Sequence, residues 1–120
     1  MAATLAFYRA LGIAIPSGAE SEQNVEVELP NGLVLGFLSD ELARSADPTF
    51  VTPVGQSMNL QFLCDSPRAV DEVYAALTAA GYAPHAAPWD ALWGQRFARV
   101  TDPDGRIVNF YAPLANEAAA

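Results

Sequence analysis

Apolar residues recur at helical spacing in two segments of the chain. The first segment covers residues 2–11 and ends before Gly12, and its apolar stripe contains Leu5, Tyr8 and Leu11. The second begins at Ser66-Pro67, which supplies a capping residue and a proline for the first turn, and ends at Gly81. Its buried stripe is predicted to contain Val70, Val73, Tyr74, Leu77 and Ala80. These patterns predict one helix in each half of the chain.

Alternation of apolar and polar residues identifies the strands. Residues 25–29 alternate valine or leucine with glutamate, as a strand with one buried face does. The following Pro30-Asn31-Gly32 predicts a turn into a second arm at 33–37, because asparagine and glycine tolerate positive φ. Further strands are predicted at 13–15, 57–64, 82–87, 96–101 and 107–111, and a helical turn at 39–44. Loops are predicted at 16–22 and 47–55, an aromatic loop at 88–94, and a frayed tail at 112–120.

The two halves of the chain resemble each other, which indicates an internal repeat. Residues 5–11 match residues 71–77, and the turn Pro30-Asn31-Gly32 matches Pro103-Asp104-Gly105. The second half is predicted as strand, helix and three strands, whereas the first half is predicted as helix and three strands. The first half therefore lacks only the opening strand of the repeat.

Four motifs resemble those of the vicinal oxygen chelate superfamily. They are Phe7-Tyr8-Arg9-Ala10-Leu11-Gly12, Asp65-Ser66-Pro67, Trp93-Gly94-Gln95-Arg96 and Asp102-Pro103-Asp104-Gly105. This superfamily contains glyoxalase I, extradiol dioxygenases, fosfomycin-resistance enzymes and bleomycin-binding proteins, so its fold does not determine the chemistry. The resemblance implies an α+β fold in which two βαβββ modules form a cupped mixed sheet. A single domain, 1–120, would contain module 1 at 1–55, module 2 at 56–115 and a tail at 116–120.

The start of the chain departs from the family pattern. Members usually have a strand before the first helix, whereas here the predicted helix begins directly after Met1. We expect either that Met1 is an internal methionine of a longer protein or that the strand has been lost. A lost strand would leave an open sheet edge, which favours association, and the resemblance itself implies a homodimer.

The resemblance also implies where a ligand would lie, because in this superfamily the helices cover one sheet face and the ligand occupies the other. Alternation along each strand then assigns side chains to the two faces. The helix side receives Leu33, Leu35, Phe37, Met58, Leu60, Phe62, Cys64, Val108 and Phe110. The cleft side receives Glu26, Glu28, Gly36, Asn59, Gln61, Leu63, Arg99, Ile107, Asn109 and Tyr111.

The metal enzymes of the superfamily carry four ligand positions on the cleft face, and three of them fall on Gly36, Asn59 and Asn109. The fourth would lie on the missing strand. Glycine has no side-chain ligand, and an asparagine carbonyl is a poor substitute for imidazole or carboxylate. The single histidine, His85, cannot form a metal site alone, and Cys64 is predicted to be a buried core thiol rather than its nucleophilic partner. We therefore expect no metal and no cofactor.

Aromatic residues give the clearest indication of a binding site. Four of them are predicted beside the polar cleft, where they could stack on a flat ligand or hold a cation: Trp89, Trp93, Phe97 and Tyr111. Alternatively, one or both tryptophans fill the end of the sheet as core. Arg99 either pairs with Glu26 or Glu28 or is exposed, and Arg96 is expected to anchor the aspartate-rich closing turn.

Composition narrows the range of partners. Fourteen carboxylates and six basic residues, all of them arginine, give a formal charge of −8 and a pI near 4.3. Such an acidic chain repels the phosphates of nucleic acid and favours a cationic ligand. No apolar run approaches the ~20 residues that span a bilayer. The single cysteine cannot form an internal disulfide, which fits a cytoplasmic protein.

Two functions are consistent with these patterns. The first is a metal-free small-molecule-binding protein, similar to the bleomycin-binding members, in which aromatic walls enclose a ligand and Glu26 and Glu28 attract positive charge. The alternative is an enzyme, namely a lyase, an isomerase or a dioxygenase-like metalloenzyme whose first ligand strand is absent from this chain. We favour the binding protein, in which no bond is made or broken, and assign no catalytic residue.

Overall fold

The computed structural model describes residues 1–56 and 58–114. The chain has a mixed α+β architecture and divides into two compact units, Met1–Gly55 and Gln56–Ala120. The predicted tail at 116–120 lies outside the described residues. None of the helices in the described part of the chain is both long enough and apolar enough to cross a membrane.

The first unit combines two helices with a two-stranded antiparallel sheet. Its elements are α1 (Ala2–Ala10), a short 3-10 helix (Ala19–Ser21), β1 (Asn24–Glu28), β2 (Val34–Leu38) and α2 (Asp40–Ala46). Leu5 and Phe7 of α1 are fully buried, and the ring of Tyr8 lies 5.4 Å from that of Phe37 in β2. The predicted first helix is thus confirmed, and its apolar stripe forms part of the core of this unit.

The predicted hairpin in the first unit is also confirmed. Val27 lies opposite Leu35 and Glu26 lies opposite Gly36, so the strands pair with the glutamates on the face opposite the buried valines. In the turn, Gly32 has a φ of +86°, and the backbone N–H of Leu33 donates to Oδ1 of Asn31. Glycine adopts this positive φ without the steric cost that a side chain would bring.

Two predictions for the first unit are wrong, and a third is confirmed with a longer extent. Residues 13–15 form no strand, because the N–H of Ile15 bonds the carbonyl of Ile13 in a tight turn. Leu33 is 63% exposed rather than packed inward, because the turn includes it and β2 starts one residue later. The helical turn predicted at 39–44 is a seven-residue helix, α2, whose first turn is capped by Ser39 Oγ accepting from the N–H of Leu42.

The second unit is a four-stranded mixed sheet with one helix packed on it. Its elements are β3 (Leu60–Leu63), α3 (Pro67–Ala79), β4 (Ala83–Asp90), β5 (Gln95–Thr101) and β6 (Ile107–Pro113). The strand order is β3-β6-β5-β4, in which β3 runs parallel to β6 and the other pairs are antiparallel. Ser66 Oγ caps α3 by accepting from the N–H of Ala69, as its sequence predicts.

The strands of the second unit differ in extent from those predicted. β3 is shorter, and Met58 lies before it with 79% of its surface exposed, not on the helix side. β4 extends through Asp90 and includes Trp89, so the prediction of a loop at Trp89 is wrong. Two register shifts between β4 and β5 accommodate the prolines of β4, which is an edge strand. β6 extends through Pro113, and Ala112, predicted to belong to a frayed tail, is fully buried.

The two faces of the second sheet are as predicted for β5 and β6. The face toward α3 carries fully or almost fully buried apolar side chains, namely Ala98, Val100, Val108, Phe110 and Ala112. Phe62 of β3 stacks on Phe110, with ring centroids 5.8 Å apart. Alternation places the remaining side chains of these strands, including Phe97, Arg99, Asn109 and Tyr111, on the face opposite α3. We call it the helix-free face, because no helix among the described residues of this unit packs on it.

Candidate functional site

Four aromatic side chains meet around Phe97 on the helix-free face of the second sheet. We call them the aromatic cluster: Trp89, Trp93, Phe97 and Tyr111. Phe97 is only 4% exposed, and its ring centroid lies 5.4 Å from that of Trp89, 5.5 Å from Trp93 and 6.4 Å from Tyr111. Strand register explains the cluster, because Phe97 lies opposite both Trp89 in β4 and Tyr111 in β6. The cluster therefore has a buried centre between two paired strands.

Trp93 forms the exposed rim of the aromatic cluster. It lies in the turn between β4 and β5, its side chain is mostly in solvent at 57% exposure, and its Nε1 donates to Gln95 Oε1 over 2.9 Å. The rings of Trp89 and Trp93 meet edge to face, with centroids 6.2 Å apart. Trp89 packs mainly against Phe97, whereas Trp93 offers an open ring surface. The alternative that one or both tryptophans fill the end of the sheet as core therefore does not describe Trp93.

The guanidinium of Arg99 lies against the aromatic cluster. Its central carbon is 5.4 Å from the ring centroid of Phe97 and 5.8 Å from that of Trp89, the range of cation–π contacts. Its Nε is buried and has no hydrogen-bond partner in the described part of the chain. No carboxylate of the described residues of this unit forms an ion pair with it. Among the described residues, the recorded contacts of this guanidinium are therefore with aromatic rings, which the sequence did not reveal.

Two amide side chains continue this face beyond Arg99. Asn109 lies opposite Arg99 in β5 and opposite Gln61 in β3, so it stands between them in the sheet. Its Nδ2 donates to Gln61 Oε1 over 3.4 Å, whereas its Oδ1 is buried without a partner among the described residues. Asn109 as a whole is 4% exposed. An unpaired buried acceptor is costly in a folded protein, which makes this amide a candidate ligand contact.

Arg96 does not have the role that its sequence position suggested. Its guanidinium bonds Asp71 of α3 over 2.9 Å and Asp90 of β4 over 3.1 Å, so it ties the helix to the sheet instead of anchoring the closing turn. The hydrogen bond that Arg96 donates to Asp71, the largest cause, and the one it donates to Asp90 raise the pKa of Arg96. The closing turn is held instead by Asp102 Oδ1, which accepts from the N–H groups of Asp104 and Arg106.

The predicted site residues of the first unit lie together on its hairpin. Glu26 and Gly36 are cross-strand neighbours, and a side chain at Gly36 would meet nothing within 4 Å. Glu26 and Glu28 are both exposed. An open depression of about 290 Å³ borders Glu26, and it is lined mainly by residues 16–19 with Glu22 and Asn24. A role for these carboxylates in attracting a cation stays a prediction.

The residues at the superfamily's metal positions do not fit a metal. Gly36 brings no ligand atom, and Asn59 is exposed, where its Oδ1 accepts from Gln56 Nε2. Asn109 offers only a neutral amide. Within residues 1–56 and 58–114, no three histidine, cysteine, aspartate or glutamate side chains are grouped so as to hold a metal ion.

Cys64 and His85 do not form an evident nucleophilic site. Cys64 is partly buried, and this burial raises the pKa of its thiol, with a smaller opposing effect from the hydrogen bond to Tyr111. A raised pKa keeps the group as the less reactive thiol. His85 is exposed on β4.

Solved structures share this fold over most of the chain. A glyoxalase-related enzyme from Fulvimarina pelagi aligns with a TM-score of 0.79 at 23% identity, covering 93% of this chain and 79% of that one. A glyoxalase/bleomycin resistance protein/dioxygenase from Nocardioides aligns with a TM-score of 0.72 at 25% identity, covering 95% and 76%. A lactoylglutathione lyase from Agrobacterium tumefaciens aligns with a TM-score of 0.66 at 20% identity, covering 92% and 84%.

The family is identified by the sequence itself. No curated protein matches the chain. The sequence model of the Glyoxalase/Bleomycin resistance protein/Dioxygenase superfamily, in contrast, matches residues 1–110, nearly the whole chain. Together with the mixed α+β fold, this match shows that the chain belongs to the glyoxalase/bleomycin resistance protein/dioxygenase superfamily.

Proposed function

We propose that this protein binds a small planar molecule at the helix-free face of its second sheet, without a metal and without making or breaking a bond. The observation that carries this proposal is the position of Arg99, whose guanidinium lies against Phe97 and Trp89 with a buried, unpaired Nε. Aromatic rings supply a stacking surface, and the unpaired donor supplies a polar contact that would orient a ligand.

The donor set supports a metal-free function. Gly36, Asn59 and Asn109 stand at positions where metal enzymes of the superfamily carry ligands, and none of these side chains is a carboxylate or an imidazole. The competing function is a metal-dependent lyase, isomerase or dioxygenase. Metal analysis of protein purified without chelators separates the two, since a stoichiometric divalent metal would overturn the binding proposal.

Ligand binding is best measured by tryptophan fluorescence. Trp89 and Trp93 are the two tryptophans of the chain, so any change in emission reports on the aromatic cluster. We expect naphthalene derivatives to change this emission and to raise the melting temperature. Ligand at 100 times its dissociation constant adds about 2.7 kcal/mol to the free energy of unfolding. If neither signal changes for any planar compound, the proposal fails.

The charge of the ligand is a separate part of the proposal. Glu26 and Glu28 favour a cation, and replacing both with glutamine would weaken a cationic ligand more at low salt than at high salt. The helix-free face of the second sheet, however, carries the guanidinium of Arg99, which repels a cation placed beside it. At the second sheet this guanidinium favours a neutral or anionic ligand. The two glutamates belong to the first unit, and their role in attracting a cation is a separate proposal.

We also propose that the protein forms a homodimer in the cytoplasm. Within its four-stranded sheet β3 pairs on one side only, with β6, and Leu63 on it is 65% exposed, which supports association because an edge strand can pair with another chain. The single cysteine is in keeping with a reducing compartment. Light scattering should give twice the chain mass, and Leu63→Asp should lower it, whereas Leu92→Asp in the exposed turn should not. A monomeric unaltered protein would contradict the dimer.

A further inference from the structure

Two buried polar atoms indicate which chemical group the ligand carries. They are Nε of Arg99, a donor, and Oδ1 of Asn109, an acceptor, and both lie shielded from solvent without a partner among the described residues. Nearly all buried polar groups in native proteins are paired, so two orphans on neighbouring strands call for an explanation. A ligand group that offers one acceptor and one donor would pair with both of these atoms.

The pairing of the strands places these two atoms on neighbouring side chains. Asn109 in β6 lies between Gln61 in β3 and Arg99 in β5. Its Nδ2 donates to Gln61 in β3, and the oxygen of a planar amide diverges from its nitrogen, so Oδ1 is directed away from this contact. The guanidinium of Arg99 instead contacts the rings of Phe97 and Trp89. The donor and the acceptor therefore belong to directly paired residues of β5 and β6, next to the aromatic cluster.

The hydrogen bond between Gln61 and Asn109 is weak enough for a ligand to displace it. Its length, 3.4 Å, is at the weak end of the range for amide hydrogen bonds, and Gln61 is exposed. Rotation of Gln61 into solvent costs that side chain little, because water can satisfy its amide. This rotation leaves Nδ2 of Asn109 without its partner, and an amide pairs best with another group that has a donor next to an acceptor.

We propose that the ligand is a neutral planar molecule with a carboxamide or lactam edge, an inference that rests on the proposed binding function. Its carbonyl oxygen accepts from Arg99 Nε, its N–H donates to Asn109 Oδ1, and its ring stacks on the aromatic cluster. A carboxylate has no proton to donate to Oδ1. An amidinium has no acceptor for Nε, and its charge is repelled by the guanidinium.

Three naphthalene compounds that differ only in this group test the inference on the unaltered protein. They are naphthamide, naphthoate and naphthamidine, and dissociation constants are measured by tryptophan fluorescence. We expect naphthamide to bind at least tenfold more tightly than either charged compound, about 1.4 kcal/mol. Equal affinities, or a charged compound that binds most tightly, would overturn the inference while the binding function stands. If none of the three binds, the binding function itself fails.

Variants locate the preference on the two orphan atoms. In Asn109→Leu and in Arg99→Met, the ratio of naphthamide to naphthoate affinity should fall from tenfold to less than threefold. Arg68→Met is the matched control, because Arg68 is an exposed arginine in α3, the helix that covers the other face, and it should keep the full ratio. The ratio is compared within one variant, so partial unfolding cancels. A tenfold preference that survives in both variants contradicts the assignment.

Discussion

Arg99 and Asn109 are directly paired across β5 and β6, yet Arg99 Nε and Asn109 Oδ1 form no hydrogen bond with each other. The guanidinium stays in contact with Phe97 and Trp89 instead. Because this hydrogen bond is not formed, both buried polar atoms stay unsatisfied, which lowers the free energy of unfolding. Such a cost is typical of binding sites, where local rules of packing and pairing are broken for function.

The aromatic cluster combines a structural centre with an open rim, and substitutions should separate the two. Phe97→Ala should lower the free energy of unfolding by about 3–5 kcal/mol, because a buried ring is lost and a cavity remains. Trp93→Ala should cost less than about 1 kcal/mol, because more than half of that side chain is in solvent at 57% exposure. Urea denaturation measures both. If Trp93→Ala were as costly as Phe97→Ala, Trp93 would be part of the core rather than a ligand surface.

Local patterns predicted much of the fold. Helix α3 and the β1–β2 hairpin depend on caps, a positive-φ turn and short-range periodicity, all of which are visible in residues 25–37 and 66–81. The extent of β4 was not predictable in this way. It contains Pro84 and Pro88, which locally favour a loop, and only pairing with β5, including Trp89 opposite Phe97, makes it a strand.

The candidate site was predictable only in part. Alternation placed Arg99, Asn109 and Tyr111 on one face of the sheet, because that assignment needs only the strand period of two. The contacts of Arg99 and Arg96 depend on which residues other elements bring near them. Asp71 comes from α3 and Trp89 from β4, and nothing local to either arginine indicates these partners.

The ion pair between Arg9 and Glu20 should make stability depend on pH. Arg9 donates to Glu20 over 2.7 Å and to the carbonyls of Ile15 and Pro16, and the hydrogen bond from Arg9 lowers the pKa of Glu20. Because the pKa of Glu20 is lower in the folded than in the unfolded protein, the ion pair stabilises the fold at pH values above the ordinary glutamate pKa. This stabilisation is lost as the pH falls through the pKa that Glu20 has in the folded protein.

Glu20→Gln should therefore lower the melting temperature at pH 7, and the difference from the unaltered protein should vanish at acid pH. The effect should be small and should shrink in high salt, because the pair is exposed. Glu22→Gln serves as the control, since no arginine pairs with Glu22 in the described part of the chain. If the difference in melting temperature persisted unchanged at pH values below the pKa of Glu20 in the folded protein, the effect of Glu20→Gln at pH 7 would not come from the charge of Glu20.

Cys64 should react slowly with alkylating reagents. Burial raises the pKa of its thiol, so at any pH near neutrality the thiolate fraction is smaller than in a free cysteine. The rate of reaction with iodoacetamide should reach its half-maximum at a higher pH than for glutathione in the same buffer. In urea the two profiles should become similar, because unfolding removes the burial. A half-maximum below that of glutathione would point to an activated cysteine.

Asn109→Leu should stabilise the protein while it removes the carboxamide preference. The substitution replaces a 4% exposed amide, whose Oδ1 is unpaired, with an apolar side chain of similar size. Removal of an unsatisfied buried acceptor gains up to about 1–3 kcal/mol, and Gln61, which is exposed, can bond water in place of Asn109. We expect a melting temperature several degrees above that of the unaltered protein, measured by calorimetry. Asn24→Leu, at an exposed position of β1, should bring no such gain. A lower melting temperature for Asn109→Leu would mean that the amide of Asn109 is hydrogen-bonded and has a structural role. The absence of a hydrogen bond between Arg99 and Asn109 could then no longer be attributed to ligand recognition.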